Sequence, residues 1–185
     1  MQPGESQQVI DTLAAGEVLA AAGTDEPLLM LTSFEEVLAA TVRAANTAKR
    51  VLSIYTSQLE PQLYEDKLFL DVLKAFLLAR SYSRVRVLMQ EPINQAGSNS
   101  KLLAMSRRLT TFMELRPVAP ALRNLECAML IADDKSIVYR PQVREWDGIA
   151  GFNHTSVARL HLQQFDQMWM GSAPLREDQE VAVAS

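Results

Sequence analysis

The sequence predicts a single α/β domain with a mixed, mostly parallel sheet and helices on both faces. Three observations carry this. Strand-like and helix-like segments alternate at intervals near thirty residues from Leu28 onward, the pattern of crossover-connected strands. The helix expected over about Tyr64–Arg80 is apolar around most of its circumference (Phe69, Leu70, Val72, Leu73, Phe76, Leu77), so other structure must cover it. Late in the chain, Asp133-Asp134-Lys135 separates two apolar runs closely enough to make a hairpin, which adds an antiparallel pair.

Each element has a local reason. Residues 1–25 are Ala-, Gly- and Glu-rich and read as a flexible arm; a short amphipathic helix over Val9–Leu19 is limited by Gly16 and Gly23. A first strand fits Leu28–Leu31. Ser33-Phe34-Glu35-Glu36 is a capping box that starts a helix. Phe34, Val37, Leu38, Thr41, Val42 and Ala45 form its buried stripe, and Lys49 and Arg50 are expected to close it. Val51–Tyr55 follows as a strand, then the loop Thr56–Glu60, and Pro61 leads into the apolar helix.

Val85–Met89 is the next strand; Pro92, Asn94, Gly97 and Asn99 mark a loop, and Ser100–Leu109 a shorter helix. Phe112–Arg116 reads as a strand stopped by Pro117. Cys127–Ala132 and Ser136–Arg140 are the hairpin strands, and Pro141–Phe152 is expected to be irregular. The last helix, about Thr155–Met170, carries Ala158, Leu162, Phe165 and Trp169 on one stripe. The domain is thus placed at 26–172, with 173–185 as a flexible tail.

Composition excludes several classes. A chain of 185 residues with 48% hydrophobic and 22% charged residues supports one core of ordinary size. A net charge of -4 provides no overall basic field for nucleic acid or anionic membrane. Cys127 is the only cysteine, so an internal disulfide and a cysteine-based zinc site are excluded, and its apolar setting predicts a buried core residue. The first residues lack a signal-peptide pattern and no segment reaches membrane-spanning length, so a cytoplasmic protein is expected.

The segment Leu125-Glu126-Cys127-Ala128-Met129-Leu130-Ile131-Ala132-Asp133 resembles the signature hairpin of the phospholipase D superfamily, His-x-Lys-x-x-x-x-Asp. Glu126 stands at the histidine position, Ala128 at the lysine position, and Asp133 alone is kept. The order of elements from Phe34 and the closing Phe165-Asp166-Gln167-Met168-Trp169 fit one half of that fold over roughly residues 28–172. In that family the histidine attacks phosphorus and the lysine grips the phosphate oxygens. The resemblance places Glu126 and Ala128 on one strand face, where a carboxylate repels a phosphodiester and a methyl group cannot offset it. The nucleophile, the general acid and the anion clamp are lost together, so the implied domain is non-catalytic. Two such halves normally build one site, so a homodimer is the implied assembly.

Open α/β sheets collect ligands at the carboxyl ends of their strands. Tyr55, Gln58, Arg116, Glu126 and Arg140 are therefore the candidate pocket for a small anion, provided the strands ending in Arg116 and Arg140 are parallel neighbours. The competing reading is a structural salt-bridge network, with Glu126 paired to Arg116 or Arg140. His154 precedes the last helix and suits a capping role; His161 is expected on the surface or partly packed. The two histidines lack acidic neighbours at ligand spacing, so neither a metal nor a cofactor is expected. Asp133-Asp134 reads as a solvated turn. Arg80, Arg84, Arg86, Lys101, Arg107 and Arg108 suggest a basic ridge without interleaved aromatics, which makes a nucleic-acid partner unlikely. The functional expectation is a binding or interaction module. The alternatives are a phosphodiesterase or nuclease with a site relocated to Glu126, His154 or Arg140, and a nucleic-acid-binding accessory domain.

Overall fold

The computed structural model describes residues 25–91 and 100–174. The expected helix over Val9–Leu19 and the tail beyond residue 174 lie outside the described residues.

Thirteen elements, counting one 3-10 turn, follow in the expected order among the described residues. They are β1 (Leu29–Leu31), α1 (Phe34–Thr47), β2 (Val51–Thr56), α2 (Pro61–Tyr64), α3 (Lys67–Ala79) and β3 (Arg84–Met89), then α4 (Lys101–Arg108) and β4 (Met113–Pro117). After the 3-10 turn Pro120–Leu122 come β5 (Ala128–Ala132), β6 (Ser136–Arg140), β7 (Gly148–Gly151) and α5 (Thr155–Met170). One seven-stranded sheet results, in the order β1-β7-β6-β5-β2-β3-β4. The pairs β2–β3 and β3–β4 are parallel; β2–β5, β5–β6, β6–β7 and β1–β7 are antiparallel. Five strands run one way, but β5 and β7 are interleaved among them. The expected predominance of parallel pairing therefore holds for strand direction and not for neighbouring pairs.

Strand alternation sends residues to two apolar layers. Leu52, Ile54, Val85, Val87, Leu130, Ala132 and Val138 pack under α1, α3 and α4. Tyr55, Leu88, Met129, Ile131, Ile137 and Tyr139 pack under α5. Helices on both faces are thus observed.

The local departures have identifiable causes. Ser33 accepts the Glu36 amide as expected (3.3 Å), but Glu36 reaches Thr32, accepting its amide at 2.7 Å, one residue further back than a capping box requires. The single helix expected over Tyr64–Arg80 is two, because Asp66 accepts the amides of Leu68 (2.8 Å) and Phe69 (3.4 Å) and starts α3 afresh. Lys49 and Arg50 lie beyond α1 and close no helix; they deliver backbone amides to Asp133. Pro141–Phe152, expected to be irregular, contains β7. Gly148 lets that strand approach: a Cβ there would meet the Tyr139 carbonyl oxygen at 2.4 Å and Arg140 Cγ at 2.9 Å.

Candidate functional site

The carboxyl ends of β2 and β6 meet the first turn of α2, and a charged pair is closed off between them. Arg140 ends β6 and is only 2% exposed; Glu60 precedes the proline that opens α2 and is 7% exposed. Arg140 Nη2 donates to Glu60 Oε1 at 2.5 Å and Oε2 at 2.6 Å, while Nη1 donates to the carbonyls of Val143 and Glu145, both at 3.0 Å. The guanidinium lies 4.8 Å from the Trp146 ring centroid, and that ring meets Phe34 edge-on at 4.9 Å. Thr56 Oγ1 adds a contact to Glu60 Oε2 at 3.2 Å and donates to the Gln58 carbonyl at 2.6 Å. Both terminal nitrogens of the arginine are thus directed into the protein, two hydrogen bonds each.

Burial raises the Glu60 carboxyl, and the charge and hydrogen bonds of Arg140 pull it part of the way back. The fully buried Tyr64 phenol beside it is raised as well, first by burial and then by the Glu60 charge. This is a closed ion pair, with no cation turned toward solvent.

The position of Ala128 explains its location. Ala128 pairs directly with Arg140 across β5–β6, so both side chains leave the same face of the sheet. The small side chain at 128 leaves that face to the arginine. Glu126 is not its neighbour on that face. The strand begins at Ala128, Glu126 is exposed, and its carbonyl accepts the Val143 amide at 2.8 Å.

Asp133, expected in a solvated turn, is a structural tie. Its backbone is left-handed (φ 54°), and its carboxylate accepts the amides of Lys49 (2.9 Å), Arg50 (2.8 Å) and Val51 (2.9 Å). The Asp133 amide donates back to the Val51 carbonyl at 2.8 Å. Asp134 instead pairs with Arg159 at 2.8 Å. Asp133 thus holds the hairpin to the start of β2.

The proposed five-residue pocket does not assemble. Arg140 ends β6 and Arg116 lies one residue before the end of β4, which takes in Pro117 instead of stopping at it, but β5, β2 and β3 lie between those strands, a separation of about 19 Å at normal strand spacing. Arg116 faces the other layer, donating to Glu114 (2.8 Å) and to the carbonyls of Trp169 (2.9 Å) and Ser172 (3.0 Å), with the Trp169 ring centroid at 4.0 Å. Tyr55 is fully buried on that same layer; its hydroxyl donates to the Leu125 carbonyl at 3.0 Å and accepts from the Gln90 amide. Burial pushes its phenol up to about 12. Gln58 is exposed and contributes its carbonyl to Thr56. The salt-bridge reading holds for both arginines, with Glu60 and Glu114 as partners in place of Glu126.

Other singled-out residues are accounted for. His154 is the N-cap of α5, its Nδ1 3.5 Å from the Val157 amide. Asp25 reinforces that end by accepting the Thr155 amide (2.9 Å) and the Ser156 hydroxyl (2.6 Å). His161, expected on the surface or partly packed, is buried and stacks on Tyr139 at 4.3 Å. Its burial lowers the imidazole to about 4. Cys127 is buried as expected, with its thiol pushed up to about 11 by burial. Within the suggested basic ridge, Arg86 is bound to Asp166 (2.7 Å) and Ser53 (2.9 Å) and lies over Phe165. Among the described residues no helix is long and apolar enough to cross a membrane.

The sequence missed Glu60, the principal partner in this site. The only cue was its place immediately before a helix-starting proline, and nothing in that spacing marks a residue 80 positions from Arg140.

Comparison with solved structures places the fold in the phospholipase D-like class. Nuc from Salmonella typhimurium, a phospholipase D family member, superposes with a TM-score of 0.52 at 15% identity, covering 81% of this chain and 98% of that one. NucT from Helicobacter pylori gives 0.55 at 10% identity, covering 80% and 98%. TrmBL2, an archaeal chromatin protein described as showing a novel mode of DNA binding, gives 0.59 at 13% identity over 92% of this chain. The chain spans 62% of the length of TrmBL2. No curated protein matches. Residues 33–180 match the family described as a domain of unknown function (DUF7931), and the chain belongs to that family.

Proposed function

We propose that this protein is a non-catalytic phospholipase D-like domain that acts as a binding or interaction module. One observation carries the reading: the cation opposite Ala128 is Arg140, and Arg140 is buried and bound by Glu60. Among the described residues, the strand positions at this end of β5 and β6 offer a phosphodiester no histidine and no lysine, and the arginine there is held by Glu60. Phosphoryl transfer depends on positive groups aimed at developing charge, and Arg140 is already neutralised by Glu60.

The test is turnover of bis(p-nitrophenyl) phosphate and of single- and double-stranded DNA by the purified full chain, with and without divalent metal. Rates at buffer background are expected. Turnover that disappears on Glu126→Gln or His154→Ala would establish a relocated site instead.

A nucleic-acid-binding reading draws on the likeness to TrmBL2 and is the second reading. It requires retention on DNA that falls steeply with salt and weakens on charge reversal at Arg84, which is exposed over Phe112. Light scattering of the same sample tests the homodimer implied by the two-halves architecture.

A further inference from the structure

We propose that the groove between α3 and α4 is the docking surface for this chain's own C-terminal segment, residues 175–185. The groove encloses about 580 Å³ and has an apolar floor including Leu70 and Met105. Four cations rim it: Lys67 and Lys74 from α3, Lys101 and Arg108 from α4. Lys67 is paired with Asp71 at 2.6 Å. The nearby Glu65 carboxylate is engaged by the amides of Lys101 (2.9 Å) and Leu102 (3.2 Å) at the start of α4. Lys74, Lys101 and Arg108 make no salt bridge among the described residues. An apolar floor with a cationic rim selects a segment that is both acidic and apolar.

The chain contains such a segment close by. Residues 175–185 read Leu-Arg-Glu-Asp-Gln-Glu-Val-Ala-Val-Ala-Ser, with three acidic groups against one arginine and then Val181 and Val183. Residues 1–24 hold three acidic groups and no Lys or Arg, which leaves 17 Lys+Arg against 16 Asp+Glu between residues 25 and 174. The net charge of -4 therefore resides in the two ends, and the body between them is slightly positive.

Tethering favours the C-terminal end. Ser172 is fixed at the carboxyl end of β4, accepting the Ala119 amide on its hydroxyl at 3.1 Å and Arg116 on its carbonyl. The amino ends of α3 and α4, with Lys67 and Lys101, lie at that same edge of the sheet, because both helices run back from the carboxyl ends of β2 and β3. Passing from the α5 layer to the α3–α4 layer spans about 20 Å, and 11 extended residues reach about 36 Å. The N-terminal segment is tethered at Asp25 on the first turn of α5, beside the β5–β6 turn at the opposite edge. The DUF7931 match also continues through residue 180, into the acidic stretch. In this arrangement Glu177, Asp178 and Glu180 face the lysines, and Val181 and Val183 cover the floor.

The test treats the full chain with a zero-length carbodiimide at low ionic strength and maps the links by mass spectrometry. Links from Glu177, Asp178 or Glu180 to Lys74 or Lys101 within a monomer are expected. Their yield should fall severalfold in Arg108→Glu and Leu78→Asp, exposed changes that leave both lysines in place. The proposal is overturned if the Lys67–Asp71 pair reacts while no link from the tail to the groove forms, or if the two variants leave the yield unchanged. Links from Glu5, Asp11 or Glu17 to the same lysines, or links confined to covalent dimers, overturn it equally. The inference stands apart from the proposed function, because a phosphodiesterase assay and this mapping fail independently.

Discussion

Ala128 and Arg140 lie directly opposite one another on β5 and β6, so the small side chain of one strand and the long cationic side chain of the next share one place on the sheet. Placing a histidine at 126 and a lysine at 128 should therefore not create phosphodiesterase chemistry. In the double substitution Glu126→His, Ala128→Lys the new lysine faces Arg140 across the strands, and like charges opposed in this way destabilise. Phosphodiesterase rates are expected to stay at background, with a lowered urea midpoint. A rate clearly above background would show that the face still accepts a phosphoryl group.

The Glu60–Arg140 pair is a strong dependence for folding. Arg140→Met leaves a buried carboxylate without its partner and should cost about 3–5 kcal/mol. Glu60→Gln with Arg140→Met should cost less than the two single changes added together, because neither then strands a charge. Urea denaturation of the three variants gives the comparison directly.

His161 makes stability depend on pH. Its folded value near 4 lies below the ordinary value of 6.5, so the unfolded chain takes up the proton first. Its contribution is complete above about pH 6.5 and is lost as pH falls toward 4, on the order of 3 kcal/mol in total. His161→Phe should flatten the stability profile between pH 7 and 4. A variant with the wild-type slope would assign that dependence to the carboxylates.

Asp133→Ala removes the acceptor of three backbone amides and should cost about 2–4 kcal/mol. Asp133→Gly suits the left-handed backbone better yet should remain destabilised, because the carboxylate and not the turn conformation holds β2. Asp133→Asn, which keeps one acceptor oxygen, should fall between. Thermal unfolding orders the four proteins.

Much of the architecture was legible because helix periodicity and strand composition are local signals. Val37, Ala40, Thr41, Ala44 and Ala45 are buried on α1, on the side that the apolar stripe indicated. The elements that escaped notice depend on distant partners. β7 is four residues of Gly-Ile-Ala-Gly, too short to read alone, and exists because β6 and β1 pair on either side of it. The proposed pocket failed for the same reason. Strand ends are visible in sequence, but strand order is not, and the insertion of β5, β2 and β3 separates two arginines that sequence alone placed together. Glu60 escaped because the energy that holds it, an ion pair out of water, leaves no mark on neighbouring residues.

The β2–β5 pairing at the centre of the sheet has a kinetic consequence. Leu52 pairs with Ala132, so the two sides of the sheet join only after a loop of 80 residues closes. On the ribosome, the βα units from β2 to β4 emerge with one flank of β2 still unpaired. That open edge is filled only after residue 132 has left the exit tunnel, which makes the long intervening stretch the period of greatest exposure to misassembly.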